Sequence, residues 1–413
     1  MDRRAIRLIV RDDLRRSRVT VFFRLLLAIP HLLWLALWAS LAFLLAIANA
    51  IATVTSGTPS PTLHRFLSSY MRYATHVVSY VSLAANPFPG FTGREGSYPI
   101  DLEIDPPERQ NRWTAAFRLI LALPAILLAD VMMGLGTSFS GGASTYGGGI
   151  VATVAFLAWF ACLVRGRMLR GFRDLLAYAI SYSAQVSGYL LLLTGRYPDP
   201  DPAIGSWSVS DRRDPIWLTV DDDLGRSRLT VFFRLLLTLP HFVWLLLWGV
   251  AVFFAAVASW FVTLVSGRTP LGLHRFLSAY LRYQAHVYSY VTLVANPFPG
   301  FVGAPGSYPV ELDVEPPRPQ NRWVTGFRLV LAVPAFLVSG AISSAAFVAA
   351  LLGWFAALFT ARMPRGLRNL GAFALRYNAQ TTGYALLLTD RYPYSGPTAG
   401  WQPPLPAPSL REA

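Results

Sequence analysis

The stretch Arg18-Val-Thr-Val-Phe-Phe-Arg24-Leu-Leu-Leu decides the fold, because it returns 210 residues later as Arg228-Leu-Thr-Val-Phe-Phe-Arg234-Leu-Leu-Leu. Every histidine of the chain repeats at the same distance. The three pairs are His31 and His241, His64 and His274, and His76 and His286. A repeat of this length predicts one structural design that is present twice, so we expect two homologous halves.

The apolar composition predicts a membrane protein. Hydrophobic residues make up 54% of the 413 residues, charged residues make up 14%, and the mean hydropathy is +0.42. Ordinary soluble domains are about 25% charged. No charged residue lies between Arg24 and Arg65, and the second half keeps this gap between Arg234 and Arg268. Uncharged apolar stretches of about 18 residues or more are typical of membrane-embedded helices.

The charge of the chain predicts its partners. All 36 basic residues are arginine, and the net charge is +14. Basic surface beside a membrane attracts anionic headgroups by about 1 kcal/mol for each nearby charge. We therefore expect the lipid bilayer and its anionic headgroups as partners, with a membrane-protein partner as a further candidate. Nucleic acid is not expected, because the membrane-side role accounts for the arginines.

Each half divides again into two units, because similar apolar runs open at four arginines. These are Arg18, Arg112, Arg228 and Arg322. The first half is residues 1–198, with units of about 1–95 and 96–198. A Pro- and Asp-rich linker follows at 199–215, and the second half is 216–395, with units of about 216–303 and 304–395. Residues 396–413 are predicted to be a Pro-rich disordered tail.

Each unit is expected to begin with a short strand. Ile100–Asp105 and Val310–Glu315 alternate apolar and acidic residues, which is the period of a half-buried strand. Ile6–Val10 and Ile216–Val220 occupy the same place in the other two units. Because lone strands are seldom stable, we expect the four to pair into one small sheet on the membrane surface.

The apolar region that follows has two candidate geometries. In one, a single helix such as His31–Thr55 crosses the membrane. In the other, Val19–Trp38 and Ala39–Thr55 form a helical hairpin. The Gly-rich insertion at 134–149 favours the hairpin, since glycines are tolerated at a loop tip but disrupt a helix. A hairpin also places nearly all arginines on one side of the membrane, as the positive-inside rule expects. It further predicts that the repeats are parallel, not inverted.

An amphipathic helix is predicted after each apolar region. In unit one it covers about Thr62–Ala85, and Arg65, Arg72 and His76 fall on one face. Unit three repeats this face with Arg275, Arg282 and His286. A basic amphipathic helix with neighbouring tyrosines is expected to lie along the membrane surface.

Several motifs resemble one family. Leu387-Leu-Thr-Asp-Arg-Tyr-Pro matches Leu192-Leu-Thr-Gly-Arg-Tyr-Pro, and Tyr-Pro, Asn-Arg-Trp and Pro-His pairs recur upstream in both halves. Together they resemble the bacterial domain-of-unknown-function 4389 family from about residue 5 to 395. Units one and three depart from the pattern, since they end in Asn-Pro-Phe-Pro-Gly. The resemblance implies a membrane-anchored bacterial protein and no particular activity.

These observations define the expected fold class and location. We expect a mainly α integral membrane protein, whose repeated unit is a short strand, an apolar helical hairpin and an interfacial amphipathic helix, with a small β-sheet on the membrane surface. It is expected to be a multi-pass protein of the bacterial cytoplasmic membrane, with the N-terminus in the cytoplasm.

The candidate site residues are arginines that contact lipid or an anion. Four of them interrupt apolar runs: Arg24, Arg118, Arg234 and Arg328. Charge at membrane depth indicates an anion path or a phosphate clamp, and the alternative is a side chain that snorkels to the interface. The other four candidates are Arg65, Arg72, Arg275 and Arg282. The repeat-matched histidines of unassigned role are His31, His76, His241 and His286. Their spacing predicts no metal site, and no motif indicates a cofactor.

Three functions are consistent with the sequence. The first is a non-enzymatic membrane scaffold or accessory protein whose basic cytoplasmic face contacts anionic lipid or a partner protein. The second is a transporter or channel for a small anionic solute that uses arginines between the halves. An interfacial enzyme comes third, because the sequence has no catalytic motif.

Overall fold

A computed structural model describes residues 4–134, 148–203 and 214–397 of the chain. The described part is mostly helical. Three of its helices are long and apolar enough to cross a membrane, judged by length and composition. They are α2 (Arg24–Ser56), α8 (Arg228–Ser266) and α11 (Arg328–Thr360). Short helices precede some of the long ones: α1 (Arg18–Phe22), α4 (Arg112–Ala116) and α10 (Arg322–Gly326).

The predicted helical hairpin is wrong. Helix α2 continues without a break through the expected hairpin tip at Trp38 and Ala39. Pro30 is tolerated within it, and the first residue that stops it is Gly57, whose φ of +80° is the left-handed conformation typical of a helix C-terminus. The apolar run lacks any other strong helix breaker, so the chain forms one helix in place of two arms.

Unit two shows how the insertion is accommodated. Helix α5 (Arg118–Met133) ends where Gly134 lies against Gly149, and α6 (Ile150–Arg165) begins directly after that glycine. Both helices pack along α7 (Arg170–Leu190), as α11 alone packs along its own neighbour. The insertion therefore interrupts one long helix and does not connect two hairpin arms. The rest of the insertion, residues 135–147, lies outside the described residues.

A second set of helices forms the core of the protein. Each has 21 residues, and in the described ranges they are α3 (Pro61–Val81), α7 (Arg170–Leu190), α9 (Leu271–Val291) and α12 (Arg365–Ala385). They occupy the place of the predicted amphipathic helices and pack against the long helices and the strands; their position along a membrane surface stays a prediction. Helix α7 is buried almost throughout, and α3 packs between α2 and α7. Small residues such as Gly188 permit this, since a side chain there would overlap Ile6.

The strand predictions are confirmed, but the single sheet is not. Strands β1 (Ile6–Val10) and β2 (Ile100–Ile104) pair antiparallel, with Leu8 opposite Leu102. Strands β3 (Ile216–Val220) and β4 (Val310–Val314) pair in the same way. The described residues thus hold two separate two-stranded sheets, because each half pairs its own strands. Both sheets pack on the 21-residue helices, on the side away from the long helices.

The two units of each half run in opposite directions. The backbone N–H of Arg16, before the first long helix, donates to the carbonyl of Gly166, after the second, at 3.0 Å. Conversely, Gln110 N–H donates to the carbonyl of Gly57 at 2.8 Å. The start of each long helix therefore lies beside the end of the other. This arrangement contradicts the expected parallel repeats within a half.

The halves are joined by reciprocal contacts. Helix α11 packs against both α5 and α6. The start of the linker crosses to the second half, where Asn369 donates to Asp201 at 2.7 Å, and Tyr394 from the end of the second half donates to Asp174 at 2.9 Å. Most of the predicted linker (204–213) and nearly all of the predicted tail (398–413) lie outside the described residues.

Two glycines in the loop after α3 provide a matched test of how this loop packs against α3. Gly93 and Gly96 both have positive φ, but a Cβ at Gly93 would overlap the carbonyl oxygen of Ser69, whereas one at Gly96 meets open space. We expect Gly93→Ala to lower the free energy of unfolding by about 1–3 kcal/mol more than Gly96→Ala, because only the first also overpacks. Denaturant unfolding of the two purified variants in detergent measures the difference. Equal destabilisation would contradict this loop packing.

Candidate membrane-contact site

The long helices turn their polar side chains inward. In α2 the buried residues include Arg24, His31, Asn49 and Thr53, spaced so that they fall on one helix face. Helix α8 repeats this pattern with Arg234, among others. The inward residues of α8 are Arg234, Thr238, His241, Ser259 and Thr263, together with apolar positions. A soluble amphipathic helix has the opposite arrangement, with its apolar stripe inside.

The outer face of these helices is apolar. We use outer face for the exposed side chains of α2, α5, α6, α8 and α11. Leu44 of α2 is 62% exposed and its repeat partner Phe254 of α8 is 66% exposed, and leucine, isoleucine, valine and phenylalanine dominate the rest. An exposed apolar patch of more than a few hundred Å² indicates an interaction surface. Here it extends over several helices of 33 residues or more.

The opposite side of the molecule carries exposed charge. On the first sheet Arg7 pairs with Glu103 at 3.3 Å, and both side chains are partly exposed. Arg72 of α3 reaches Glu95 at 2.9 Å, and the Glu95 side chain is 67% exposed. Arg65 and Arg275 are exposed on α3 and α9. The protein therefore has two different surfaces, with exposed apolar side chains on one side and exposed charged side chains on the other.

A buried arginine ties each long helix to its 21-residue helix. The Arg24 side chain, only 2% exposed, donates from Nη1 to the carbonyls of Tyr80 at 2.6 Å and Ala85 at 2.8 Å. Its Nη2 reaches the side-chain oxygen of Asn86 at 3.2 Å, and the guanidinium lies 4.3 Å from the Tyr80 ring centroid. These carbonyls end α3, so the cation sits at the negative end of a helix dipole. We call this arrangement an arginine node.

The node is present in every unit. Its arginines are Arg24, Arg118, Arg234 and Arg328, over the rings of Tyr80, Tyr189, Tyr290 and Tyr384. The arginine precedes its tyrosine by 56 residues in units one, three and four. In unit two the separation is 71, because of the insertion. This constant spacing is present in the sequence and is the signal that could have identified the nodes.

The nodes change the interpretation of these four arginines. The sequence offered an anion path, a lipid clamp or snorkelling to the interface, but the guanidinium groups are buried in the protein. Each binds oxygens of its own unit; Arg328, for example, also reaches Gln320 at 2.6 Å and Asp390 at 3.0 Å. The arginines within apolar runs prompted the transporter hypothesis, and their contacts in the nodes give them a structural role.

The other predicted arginines divide into two kinds. Arg72 donates to the carbonyl of Leu102 at 3.0 Å besides pairing with Glu95, so it fastens α3 to the sheet. Arg282 does the same in unit three, with the carbonyl of Leu312 at 3.0 Å and with Glu311. Arg65 and Arg275 are left as exposed cations on the polar side of the protein.

The histidines serve local packing. His31 Nδ1 contacts the Tyr73 hydroxyl at 2.8 Å and stacks on Phe91, and His241 makes the same contacts with Tyr283 and Phe301. Because each pair stays within its unit, the two histidines do not meet at the interface between the halves. In the described ranges no group of three or more metal-binding side chains is present.

His76 and His286 differ although they match in the repeat. His76 Nε2 contacts Asp101 at 2.8 Å. Burial alone would raise the pKa of Asp101, but bonds from His76 and from two backbone N–H groups lower it below its usual value. In unit three Glu311 replaces that aspartate and pairs with Arg282 instead. Burial, together with nearby Arg282, lowers the pKa of His286 to about 4.

An apolar groove opens on the outer face beside His31. It has a volume of about 410 Å³ and is lined by Pro30, Leu33, Trp34, Leu37 and Phe91. Trp34 closes one side, since its Nε1 donates to the carbonyl of Phe91 at 3.1 Å. A groove without polar lining groups on an apolar face suits an acyl chain.

Comparison with known proteins identifies the family. The family described as a domain of unknown function (DUF4389) matches residues 18–92, 228–302 and 322–395, which together are more than half of the chain. The chain belongs to this family, and the resemblance drawn from its motifs is confirmed. No curated protein and no solved structure matches the chain.

The node predicts a large effect of a buried arginine. Arg24→Met removes the charge but keeps most of the side-chain length, and it leaves buried carbonyl oxygens without their donor. We expect it to lower the free energy of unfolding by about 3 kcal/mol. Arg18→Met is the control, with an expected loss below about 1 kcal/mol, because its bond to Val164 is solvent-exposed. Thermal unfolding in detergent compares them, and similar losses in both variants would contradict the node.

The lowered pKa of His286 predicts a pH dependence. The unfolded chain takes up a proton near pH 6.5, but the folded protein does so only near pH 4. The contribution of His286 to stability should therefore be complete above about pH 6.5 and be lost, by about 3 kcal/mol, as the pH drops to about 4. His286→Gln introduces the residue type that unit four has at the corresponding position, Gln380, 94 residues later. It should reduce that loss in pH-dependent unfolding, whereas an unchanged acid sensitivity would count against it.

Proposed function

We propose that this protein is a membrane-embedded scaffold or accessory protein. Its outer face contacts the acyl chains of a bilayer, and its polar side faces water, where it holds a partner protein or anionic headgroups. The observation that carries the proposal is the inverted polarity of the long helices. Their polar residues face the protein and their apolar residues face outward.

The energetics favour lipid over water at the outer face. Apolar surface removed from water contributes roughly 25 cal/mol per Å². Leu25, Leu37 and Leu44 are each more than three-fifths exposed, and dozens of similar side chains share this face. A chain left in water with such a surface would aggregate, whereas a bilayer provides a matching solvent.

The charge distribution supports attraction to anionic membranes. Exposed arginines lie at the ends of the long helices, in both halves. They include Arg18, Arg165, Arg112, Arg228, Arg268, Arg322 and Arg362. Since the net charge of the chain is +14, these ends would lie among negatively charged headgroups at low cost. The bacterial cytoplasmic membrane, with the N-terminus inside, is the location we propose.

A charge placed on the outer face should weaken membrane binding. In flotation with liposomes that contain phosphatidylglycerol, we expect Leu44→Glu combined with Phe254→Glu to reduce the floated fraction several-fold, because each carboxylate must enter hydrocarbon. The control Ser97→Glu with Ser307→Glu adds the same number of carboxylates at exposed loop positions of the polar side, removes no arginine, and should float nearly as wild type.

Two results would contradict the proposal. One is equal flotation of the outer-face variant and wild type. The other is wild-type protein that stays soluble without detergent and does not float. Replacing phosphatidylglycerol by neutral lipid should reduce, but not abolish, the floated fraction of wild type, since the apolar contact is independent of charge.

A further inference from the structure

We propose that the long helices lie parallel to the bilayer plane and enter a single leaflet, with the arginine-bearing ends of all of them at the headgroups of that same leaflet. This inference rests on the membrane association proposed above and specifies its geometry. The alternative is that the same helices cross the bilayer. Length alone does not decide, because a helix of 33 residues, roughly 50 Å long, exceeds a hydrocarbon core of about 30 Å.

The packing of α3 against α2 shows which residues of α3 lie beside which position along the α2 axis. The two helices are antiparallel, since Arg24 at the start of α2 binds the end of α3, and His31 contacts Tyr73 one step further along. Trp38, close to the middle of α2, lies with its ring 6.0 Å from that of Phe66. The beginning of α3 is therefore level with the centre of the long helix.

Arg65 precedes Phe66 and is exposed. If α2 crossed the bilayer, this guanidinium would lie near the hydrocarbon centre, where a charge costs about 2.5–3.5 kcal/mol or more. The second half repeats the conflict, because Trp248 of α8 lies with its ring 6.2 Å from that of Phe276, and exposed Arg275 precedes it. When the helices lie in the plane, both arginines instead point away from lipid into water.

The ion pair between Arg72 and Glu95 also favours the in-plane orientation. Arg72 and Glu95 lie between the levels of Trp38 and Arg24 on the α2 axis, because Arg72 precedes Tyr73, the partner of His31. In a crossing orientation this pair, whose Glu95 side chain is 67% exposed, would also lie at membrane depth. In the in-plane orientation the outer face alone meets hydrocarbon, and it contains no charged side chain between Arg24 and Ser56.

The helix ends have the chemistry of a headgroup layer. Arg18 donates to the carbonyl of Val164 at 2.9 Å, and Arg228 donates to that of Phe359 at 3.0 Å, so each caps the end of the neighbouring long helix while its side chain stays exposed. Trp113 and Trp323, beside Arg112 and Arg322, are 75% and 78% exposed. Exposed tryptophan beside arginine is typical of the membrane interface. In-plane insertion brings every such end to one interface.

A double-cysteine experiment distinguishes the orientations molecule by molecule. In a Cys162→Ala background, Ser17→Cys and Thr58→Cys place exposed thiols near opposite ends of α2. The variant is reconstituted in sealed vesicles in mixed orientation, treated with a membrane-impermeant maleimide, and weighed intact by mass spectrometry. In-plane insertion predicts molecules with two tags or none. A crossing helix predicts one tag on every molecule.

The controls keep the result decisive. Ser17→Cys with Arg167→Cys places both thiols at one end, where Arg15 and Arg167 are paired, and must give two tags or none in either orientation. Molecules with one tag in the Ser17/Thr58 variant, or the absence of any doubly tagged molecule, would overturn the in-plane orientation. Protein that does not float with the vesicles would instead refute the membrane association itself.

Discussion

Each long helix presents its polar side chains to the protein and its apolar side chains outward, and the rest of the structure depends on that inversion. The inward polar strip requires partners, and the 21-residue helices and their C-terminal ends supply carbonyl oxygens and tyrosine hydroxyls. Those helices become the core, and both sheets pack against them. The outward face has no protein partner within the described residues.

The arginine nodes show how the inward strip is stabilised. Burying a guanidinium is costly unless its donors are satisfied. In units one and three the two Nη groups meet carbonyl oxygens and an asparagine at a helix C-terminus, where the dipole is favourable, and a tyrosine ring covers the cation. The Nε donors of Arg24 and Arg234 are buried without a hydrogen-bond partner, so the node satisfies most but not all of each guanidinium. Lysine could not replace it, because a single ammonium lacks the planar fork that reaches two carbonyls and a side chain together.

Part of this structure could be predicted from the sequence, and the reasons for the failures are physical. The strands could be predicted from the alternation of apolar and acidic residues. The duplication could be predicted from matched residues such as His31 and His241. The hairpin failed because the apolar run has no strong helix breaker near Trp38 and Ala39, so the chain continues as one helix to Ser56. The Gly134–Gly149 insertion did not require a hairpin, since an insertion can also interrupt one long helix that continues on its other side. Arg24 was singled out for its place in an apolar run, but its partner Tyr80 lies 56 residues away, and the sequence indicates it only through the recurrence of that spacing in units three and four.

The central claim is that the outer face lies in lipid along its whole length, and a depth scan along α2 tests it most directly. Nitroxide labels at Leu26, Leu37, Leu44 and Ile51 sample that face. The account predicts high oxygen accessibility at each position and immersion depths that differ by less than about 5 Å, as for a helix in the interface. Depths that are greatest at Leu44 and fall towards both ends, or labels that are accessible to water-soluble relaxation agents throughout, would contradict it.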